Sequence, residues 1–176
     1  MAKTSFQELA ETRRSVRAYK PDAVPEELVQ QVLETGRLAP SACNKQPWRF
    51  IVVRSETTRR ALGAAYAREW FWKAPVVIAV CILPKEAWVR SFDGKNYAMV
   101  DGALAMDHMQ LAAAELGLGT CWIGAFDPAA AGEILNLPDG VEIVGMTPLG
   151  FPDVEANPRL RSRRPLGETV MKERWG

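Results

Sequence analysis

The sequence predicts a single domain that contains both α-helices and β-strands. A chain of 176 residues is a natural size for one domain with a full core. Helical patterns alternate along it with short apolar runs that are typical of strands. Apolar residues make up 48% and charged residues 24%, which is ordinary for a soluble globular protein. Because no repeat and no second domain are visible, we expect residues 1–176 to form one domain.

The N-terminal third predicts two helices and a strand. Ser5–Glu8 has the form of a capping box, which predicts a helix to about Arg14. Leu28, Val32 and Leu33 recur at helical spacing, and that second helix should end near Gly36. The β-rich run Trp48–Val53 follows and predicts a strand.

The middle of the chain predicts two helices around a buried strand. Ser55 is a candidate cap for a helix to about Arg68. Val76–Ile82 is continuously apolar, as expected for a strand buried on both faces. Pro84–Lys95 lacks clear periodicity and is interpreted as a long loop. Asp101–Leu116 is apolar nearly all round, so we expect a helix in the middle of a core or an interface.

The C-terminal part predicts a helix, a strand and an arm. Asp127-Pro128 is a cap followed by proline, which predicts a helix to about Leu135. Val141–Leu149 should be a final strand. Residues 151–176 are rich in proline and arginine and poor in apolar residues, so this segment cannot bury much surface alone. Apolar residues at its end, Val170 and Trp175, favour an arm laid on another surface over a disordered tail.

Composition excludes several classes of protein. The formal net charge is +1, so there is no global field for nucleic acid or an anionic membrane. The cysteines, Cys43, Cys81 and Cys121, are odd in number and form no C-x-x-C, which argues against a disulfide framework or a cysteine zinc site. With no signal peptide or membrane span visible in the sequence, we expect a cytoplasmic protein.

A basic segment, Arg13–Arg17, is the first candidate site. Such a cluster is usually a solvated face. The functional interpretation is a phosphate clamp, because guanidinium forks match phosphate oxygens and a hydroxyl fills a remaining acceptor. Its candidate ligands are Arg13, Arg14, Ser15 and Arg17.

The second candidate site is the loop Pro40–Trp48, called here the 40–48 loop. It could be a plain connection from helix to strand. The functional interpretation uses Asn44 and Gln46, whose amides each present a donor and an acceptor in one plane, as the edge of a flat heterocycle requires. Small residues at Ser41 and Ala42 would let the backbone approach such a ring closely.

Other constellations are weaker. Gly117-Leu118-Gly119 lacks the third glycine of a dinucleotide-binding loop and follows a helix instead of opening one. His108 is the only histidine and lies in the most apolar helix, so a packed histidine is favoured over a general base. No nucleophile motif is present, and we expect neither a catalytic side chain nor a metal site.

Four segments together resemble the nitroreductase family of FMN flavoproteins. Arg13–Arg17 looks like its N-terminal basic motif, and the 40–48 loop looks like its P-S-x-x-N-x-Q-P-W segment. Leu116–Gly124 looks like its L-G-L-G-x-x-W-I-G segment, and Arg161–Leu166 looks like its C-terminal basic motif. The motifs occur in the family's order and span most of the chain.

The resemblance implies an α+β fold, with a mixed central sheet wrapped by helices, in an intertwined homodimer that holds two FMN molecules at its interface. The C-terminal arm, 151–176, would embrace the partner subunit. The basic segment would bind the phosphate, ribityl chain and ring edge, and Arg161 and Arg163 would close on the same phosphate. The other subunit would reach the isoalloxazine ring through its 40–48 loop, with Pro40, Ser41, Ala42, Asn44 and Gln46. The backbone on the N5 side of the ring would be that of Trp122, Ile123 and Gly124.

The resemblance also implies the activity. An FMN-dependent NAD(P)H oxidoreductase would reduce nitroaromatics, quinones or similar small acceptors by two electrons in ping-pong order, with NADH or NADPH as donor. Trp70, Phe71, Trp88 and Phe92 are candidates for the pocket wall, or else for core and interface aromatics. The alternatives are a specialised branch, reductive dehalogenation or flavin breakdown, and a flavin-binding protein without turnover.

Overall fold

A computed structural model describes residues 5–153, 155 and 162–175. Within them lie four strands: β1 (Trp48–Val53), β2 (Val76–Ile82), β3 (Gly119–Thr120) and β4 (Glu142–Gly150). The α-helices of the same residues are α1 (Phe6–Thr12), α2 (Glu26–Arg37), α3 (Glu56–Ala61), α4 (Glu69–Lys73), α5 (Ala98–Glu115) and α6 (Pro128–Ile134).

The sheet has the order β1-β2-β4-β3, and neighbouring strands are antiparallel. All seven residues of β2 are buried, as its continuous apolar sequence predicts. A parallel contact is added at the β3 edge, where Ser15 forms a bridge with Thr120. Helices and sheet form the α+β fold that we expected.

Helix α5 lies at the centre of the packing. It contacts α2 and all four strands, and its buried residues include Gly102, Ala105 and Met106. Met99, Val100 and Leu104 on the same helix are 48%, 40% and 37% exposed in the single chain. An 18-residue helix therefore belongs to the core on one side and presents apolar residues on another.

Most predicted elements form where the sequence placed them. Strands β1 and β2 match their predicted bounds, and the capping box of Ser5 and Glu8 is present at α1. The prediction of one helix from Ser55 to about Arg68 is wrong, because α3 ends at Ala61. There a 3-10 turn places Leu62 in the core, and the backbone of Gly63 packs against the indole ring of Trp72.

The C-terminal segment follows β4, and its first residues, Pro152 and Asp153, pair with Tyr19 and Ala18. Its described part, 162–175, is exposed throughout and contains one short 3-10 turn, Leu166–Glu168. Trp175 is 91% exposed and Leu166 is 76% exposed. Large apolar side chains on this segment therefore have no cover within the described part of the single chain.

Candidate functional site

The basic segment lies alongside β3. Ser15 pairs with Thr120 as a parallel bridge, and the backbone N–H of Val16 donates to the Thr120 carbonyl at 2.8 Å. Gly119 permits this approach, because a Cβ at its position would lie 2.8 Å from Cβ of Val16. Two segments 100 residues apart in sequence, both singled out from the sequence, are thus neighbours in space.

Three side chains of the basic segment, those of Arg13, Ser15 and Arg17, influence the nearby thiol of Cys121. Burial raises the pKa of the Cys121 thiol, and the charges of Arg17 and Arg13 and the hydroxyl of Ser15 act in the opposite direction. Burial also raises the pKa of Tyr19 well above its ordinary value, and the Arg17 charge opposes that shift. The Cys121 thiol, just after β3, therefore lies within hydrogen-bonding reach of the Ser15 hydroxyl and within the electrostatic influence of Arg13 and Arg17.

A cavity of about 230 Å³ opens beside the basic segment. Arg13 and Arg14 line one side, and Ala114, Gly117 and Leu118, at the C-terminal end of α5, line another. The cavity thus lies between the basic segment and the C-terminal end of the central helix. A cavity lined by two arginine residues is chemically suited to an anionic group.

The 40–48 loop has an unusual backbone. Cys43, Asn44 and Gln46 have φ values of 50°, 54° and 50°, in the left-handed region that L-residues rarely occupy. Only asparagine among the three tolerates this region readily. Such conformations cost free energy and persist where the surrounding structure fixes them, often at binding sites.

Hydrogen bonds within the 40–48 loop involve the side-chain amide of Gln46 but not that of Asn44. Gln46 donates from its side chain to the Asn44 carbonyl at 3.1 Å, and its backbone N–H donates to Ser41 Oγ at 2.9 Å. The side-chain amide of Asn44 makes no hydrogen bond within the described residues and is exposed. Gln46 and Ser41 therefore brace the loop, while Asn44 presents its donor and acceptor outward.

The 40–48 loop and the basic segment lie at opposite ends of α5. The loop is bound to Asp101 in the first turn of the helix, and the basic segment lies beside Ala114 in its last turn. At about 1.5 Å per residue, these two positions are roughly 20 Å apart. The sheet shows the same separation, because the loop leads into β1 at one edge of the sheet and Ser15 pairs with β3 at the other edge.

The predicted N5-side segment continues from β3 along β4. The N–H of Ile123 donates to the Met146 carbonyl at 2.8 Å, and Met146 returns a bond of 3.1 Å. Trp122 is 37% exposed and its indole lies over Gly145. Gly124 is exposed, so this backbone is accessible beside the basic segment.

The C-terminal basic residues are only partly described. Arg161 lies outside the described residues, and Arg163 is exposed. Of the aromatic residues considered either for a pocket wall or for the core, Phe71 is fully buried in the core, which favours the second alternative for it. Trp88 packs edge-on against Tyr97 with ring centroids 5.0 Å apart, and Phe92 is 97% exposed.

Asp101 contacts the 40–48 loop and was missed by sequence reasoning. The residue is 1% exposed, and its carboxyl group accepts the backbone N–H of Ala42 at 2.9 Å. The signal in the sequence was an acidic residue at the start of a largely apolar helical stretch, which we interpreted only as the start of a helix. Its contact with the 40–48 loop joins residues 59 apart in sequence.

Other surfaces offer less chemistry. A cleft of about 440 Å³ is lined by Arg54, Arg59 and Arg60, but Arg54 and Arg60 are ion-paired and Arg59 donates to two backbone carbonyls. No three metal-ligating side chains of the described residues are grouped to hold an ion. Among the helices that the structure describes, none has the length and apolar character to span a membrane.

Comparisons with known proteins match most of the chain to one family. The family model described as the nitroreductase family matches residues 10–70 and 63–151. An NADH dehydrogenase of Thermus thermophilus is 33% identical over 90% of this chain and 91% of its own length.

Solved structures share the fold over nearly the whole chain. A nitroreductase family protein from Clostridium difficile is 34% identical, covers 98% of this chain and 100% of its own, and superposes with a TM-score of 0.85. A protein from Desulfovibrio desulfuricans solved in complex with FMN is 28% identical, covers 99% of this chain and 100% of its own, and has a TM-score of 0.81.

Proposed function

The chain belongs to the nitroreductase family, and from that premise we propose that it is an FMN-dependent NAD(P)H oxidoreductase. The observation that carries the proposal is the division of the site. The basic segment and the 40–48 loop, with its outward-facing Asn44 amide, lie at opposite ends of α5. Each of them matches a different end of FMN. The solved relative in complex with FMN supports this choice of cofactor.

The basic segment fits the phosphate end of FMN. A phosphate near −2 favours several guanidinium groups, because charge-assisted hydrogen bonds are stronger than neutral ones. Arg13 and Arg14 border the cavity, and Arg17 and Ser15 lie beside Cys121. We infer that Arg161 and Arg163 close on the same phosphate.

The 40–48 loop fits the ring end. Asn44 would pair with the pyrimidine edge of the flavin, and Pro40, Ser41 and Ala42 would let the backbone lie close to the ring. Gln46 would act by bracing the loop, since its side chain already donates to the Asn44 carbonyl. The backbone of 122–124 lies on the same side as the basic segment, and the exposed Gly124 would offer its N–H near N5, whereas the Ile123 N–H is already bonded to the Met146 carbonyl.

We propose that two chains join these halves in a homodimer, in which the loop of one subunit meets the basic segment of the other. Two observations support this: the loop and the basic segment of one chain lie at opposite ends of α5, roughly 20 Å apart, and apolar residues of α5 are exposed in the single chain. Exposed apolar residues on α5, such as Val100 and Leu104, would be buried at the interface. The exposed arm with Trp175 would lie on the partner.

The side chains then bind and orient, and the cofactor supplies the redox chemistry. When bound, FMN would supply two-electron redox chemistry, with NADH or NADPH as hydride donor in one half-reaction and a quinone, nitroaromatic or similar acceptor in the other. The protein would hold the ring in place with the amide of Asn44 and the backbone of 122–124. It would need no side-chain nucleophile, which agrees with the absence of a nucleophile motif from the sequence.

Anaerobic stopped-flow spectroscopy tests this proposal. FMN-loaded protein should lose its flavin absorbance on mixing with NADH or NADPH and regain it when a quinone is added. Flavin that binds but is bleached by neither nicotinamide would indicate a flavin-binding protein without turnover. Light scattering should report a dimer, and a monomer with full flavin occupancy would contradict the shared site.

A further inference from the structure

Asp101 is a buried carboxyl group that contacts the 40–48 loop. It lies in the first turn of α5 and is 1% exposed. Oδ1 accepts the backbone N–H of Ala42 at 2.9 Å. Oδ2 is also buried and has no hydrogen-bond partner within the described residues.

This arrangement is costly for the fold. Leaving a buried polar atom without a partner costs about 1–3 kcal/mol. The N-terminal end of a long helix offsets part of the cost of a carboxylate, because the helix dipole is positive there. An apolar residue at this position of an apolar helix would avoid the cost, so the carboxyl group is best explained by its bond to the loop.

The bond acts where the loop takes its unusual course. Ala42 begins the 3-10 turn Ala42–Asn44, and the next residue, Cys43, has φ 50° and ψ 28°. Asn44 follows with φ 54°. Holding the N–H of Ala42 fixes the first residue of this strained turn, and the direction of the Asn44 side chain depends on the turn.

We propose that Asp101 is a positioning residue for the flavin ring, which holds the 40–48 loop in its binding conformation before FMN arrives. The inference rests on the proposed function, because it assigns the Asn44 amide to the ring edge. Within the described residues, Asp101 is hydrogen-bonded to Ala42 and not to Asn44. Its effect on FMN should therefore pass through Ala42.

Amide hydrogen exchange in the flavin-free protein tests the positioning role without the cofactor. Asp101→Ala should speed exchange at the Ala42 N–H by about tenfold or more, because the acceptor is removed. Asp101→Asn keeps an oxygen at Oδ1, so the exchange rate of the Ala42 N–H should stay within about threefold of the wild-type rate. Gln110→Leu is the matched control: Gln110 is also buried in α5, and its Nε2 has no partner within the described residues.

Flavin titrations supply the second readout. Asp101→Ala should weaken FMN and riboflavin alike, by about tenfold, because both carry the ring. Asp101→Asn should rescue both affinities, and Gln110→Leu should leave them unchanged. Combined with Asn44→Leu, Asp101→Ala should add little further loss, because both act on one contact.

Several results would overturn the inference. Unchanged exchange at Ala42 in Asp101→Ala, an Asp101→Asn variant as defective as Asp101→Ala, or fully additive losses with Asn44→Leu would each do so. A wild-type chain that takes up no flavin would refute the proposed function instead. The exchange experiment on Ala42 would still decide whether Asp101 holds the loop.

Discussion

Gly145→Ala probes the contact between the sheet and the proposed N5-side backbone. A Cβ at Gly145 would lie 2.7 Å from Nε1 of Trp122 and 3.1 Å from the Ile123 carbonyl oxygen. Ile123 is held to Met146 by two backbone hydrogen bonds, so it cannot yield without breaking the ladder. The indole of Trp122, which is 37% exposed, is therefore the group that moves.

The expected cost is that of overpacking, about 1–3 kcal/mol of unfolding free energy. Displacement of Trp122 should also disturb the adjacent backbone and weaken FMN by about tenfold, or 1.4 kcal/mol. Urea unfolding followed by circular dichroism measures the first effect, and flavin titration measures the second.

Gly132→Ala is the matched control for Gly145→Ala. Gly132 lies within α6, and the nearest atom to an added Cβ, Cδ1 of Leu137, is 4.0 Å away. This variant should gain up to about 1 kcal/mol from helix propensity and bind FMN normally. If Gly145→Ala matched the wild type in both stability and FMN affinity, the role of this contact would be refuted.

Three further predictions concern the flavin itself and the thiols. Asn44→Leu should weaken FMN by about 5- to 150-fold, or 1–3 kcal/mol, and unchanged affinity and redox potential would remove Asn44 from the site. Arg161→Ala with Arg163→Ala should weaken FMN by at least about tenfold but spare riboflavin, whereas equal losses for both flavins would assign the arm to dimer stability. Thiol reagents near neutral pH should modify exposed Cys43 well before Cys81, because burial raises the pKa of Cys81 to about 11. Bound FMN should slow the labelling of Cys43, and labelling at an unchanged rate would place the loop away from the ring.

Local patterns predicted the parts of the fold that depend on local physics. Val76–Ile82 forms β2 because seven consecutive apolar residues suit a strand buried on both faces. Asp127 caps α6 by accepting the N–H groups of Ala129 and Ala130, as its position before a proline indicated. Strand β3 was not predicted, since two residues carry no periodic signal.

Features that depend on tertiary contacts were less accessible to sequence reasoning. The motifs identified Arg13–Arg17 and Asn44 as candidates, but not that they lie at opposite ends of α5. The role of Asp101 arises from a contact across 59 residues. The left-handed φ values of Cys43 and Gln46 have no compositional signal, because neither residue favours that region.

A hybrid dimer tests most directly the claim that two chains build each flavin site. One subunit carries Asn44→Leu and the other Arg13→Ala, and each homodimer of a variant should bind FMN weakly at both sites. In the hybrid, one site combines the intact basic segment of the first subunit with the intact loop of the second. We therefore predict one site of wild-type FMN affinity per hybrid dimer, reducible by NADH or NADPH. Two equally weakened sites in the hybrid would mean that each chain builds its own site, and would contradict the shared architecture.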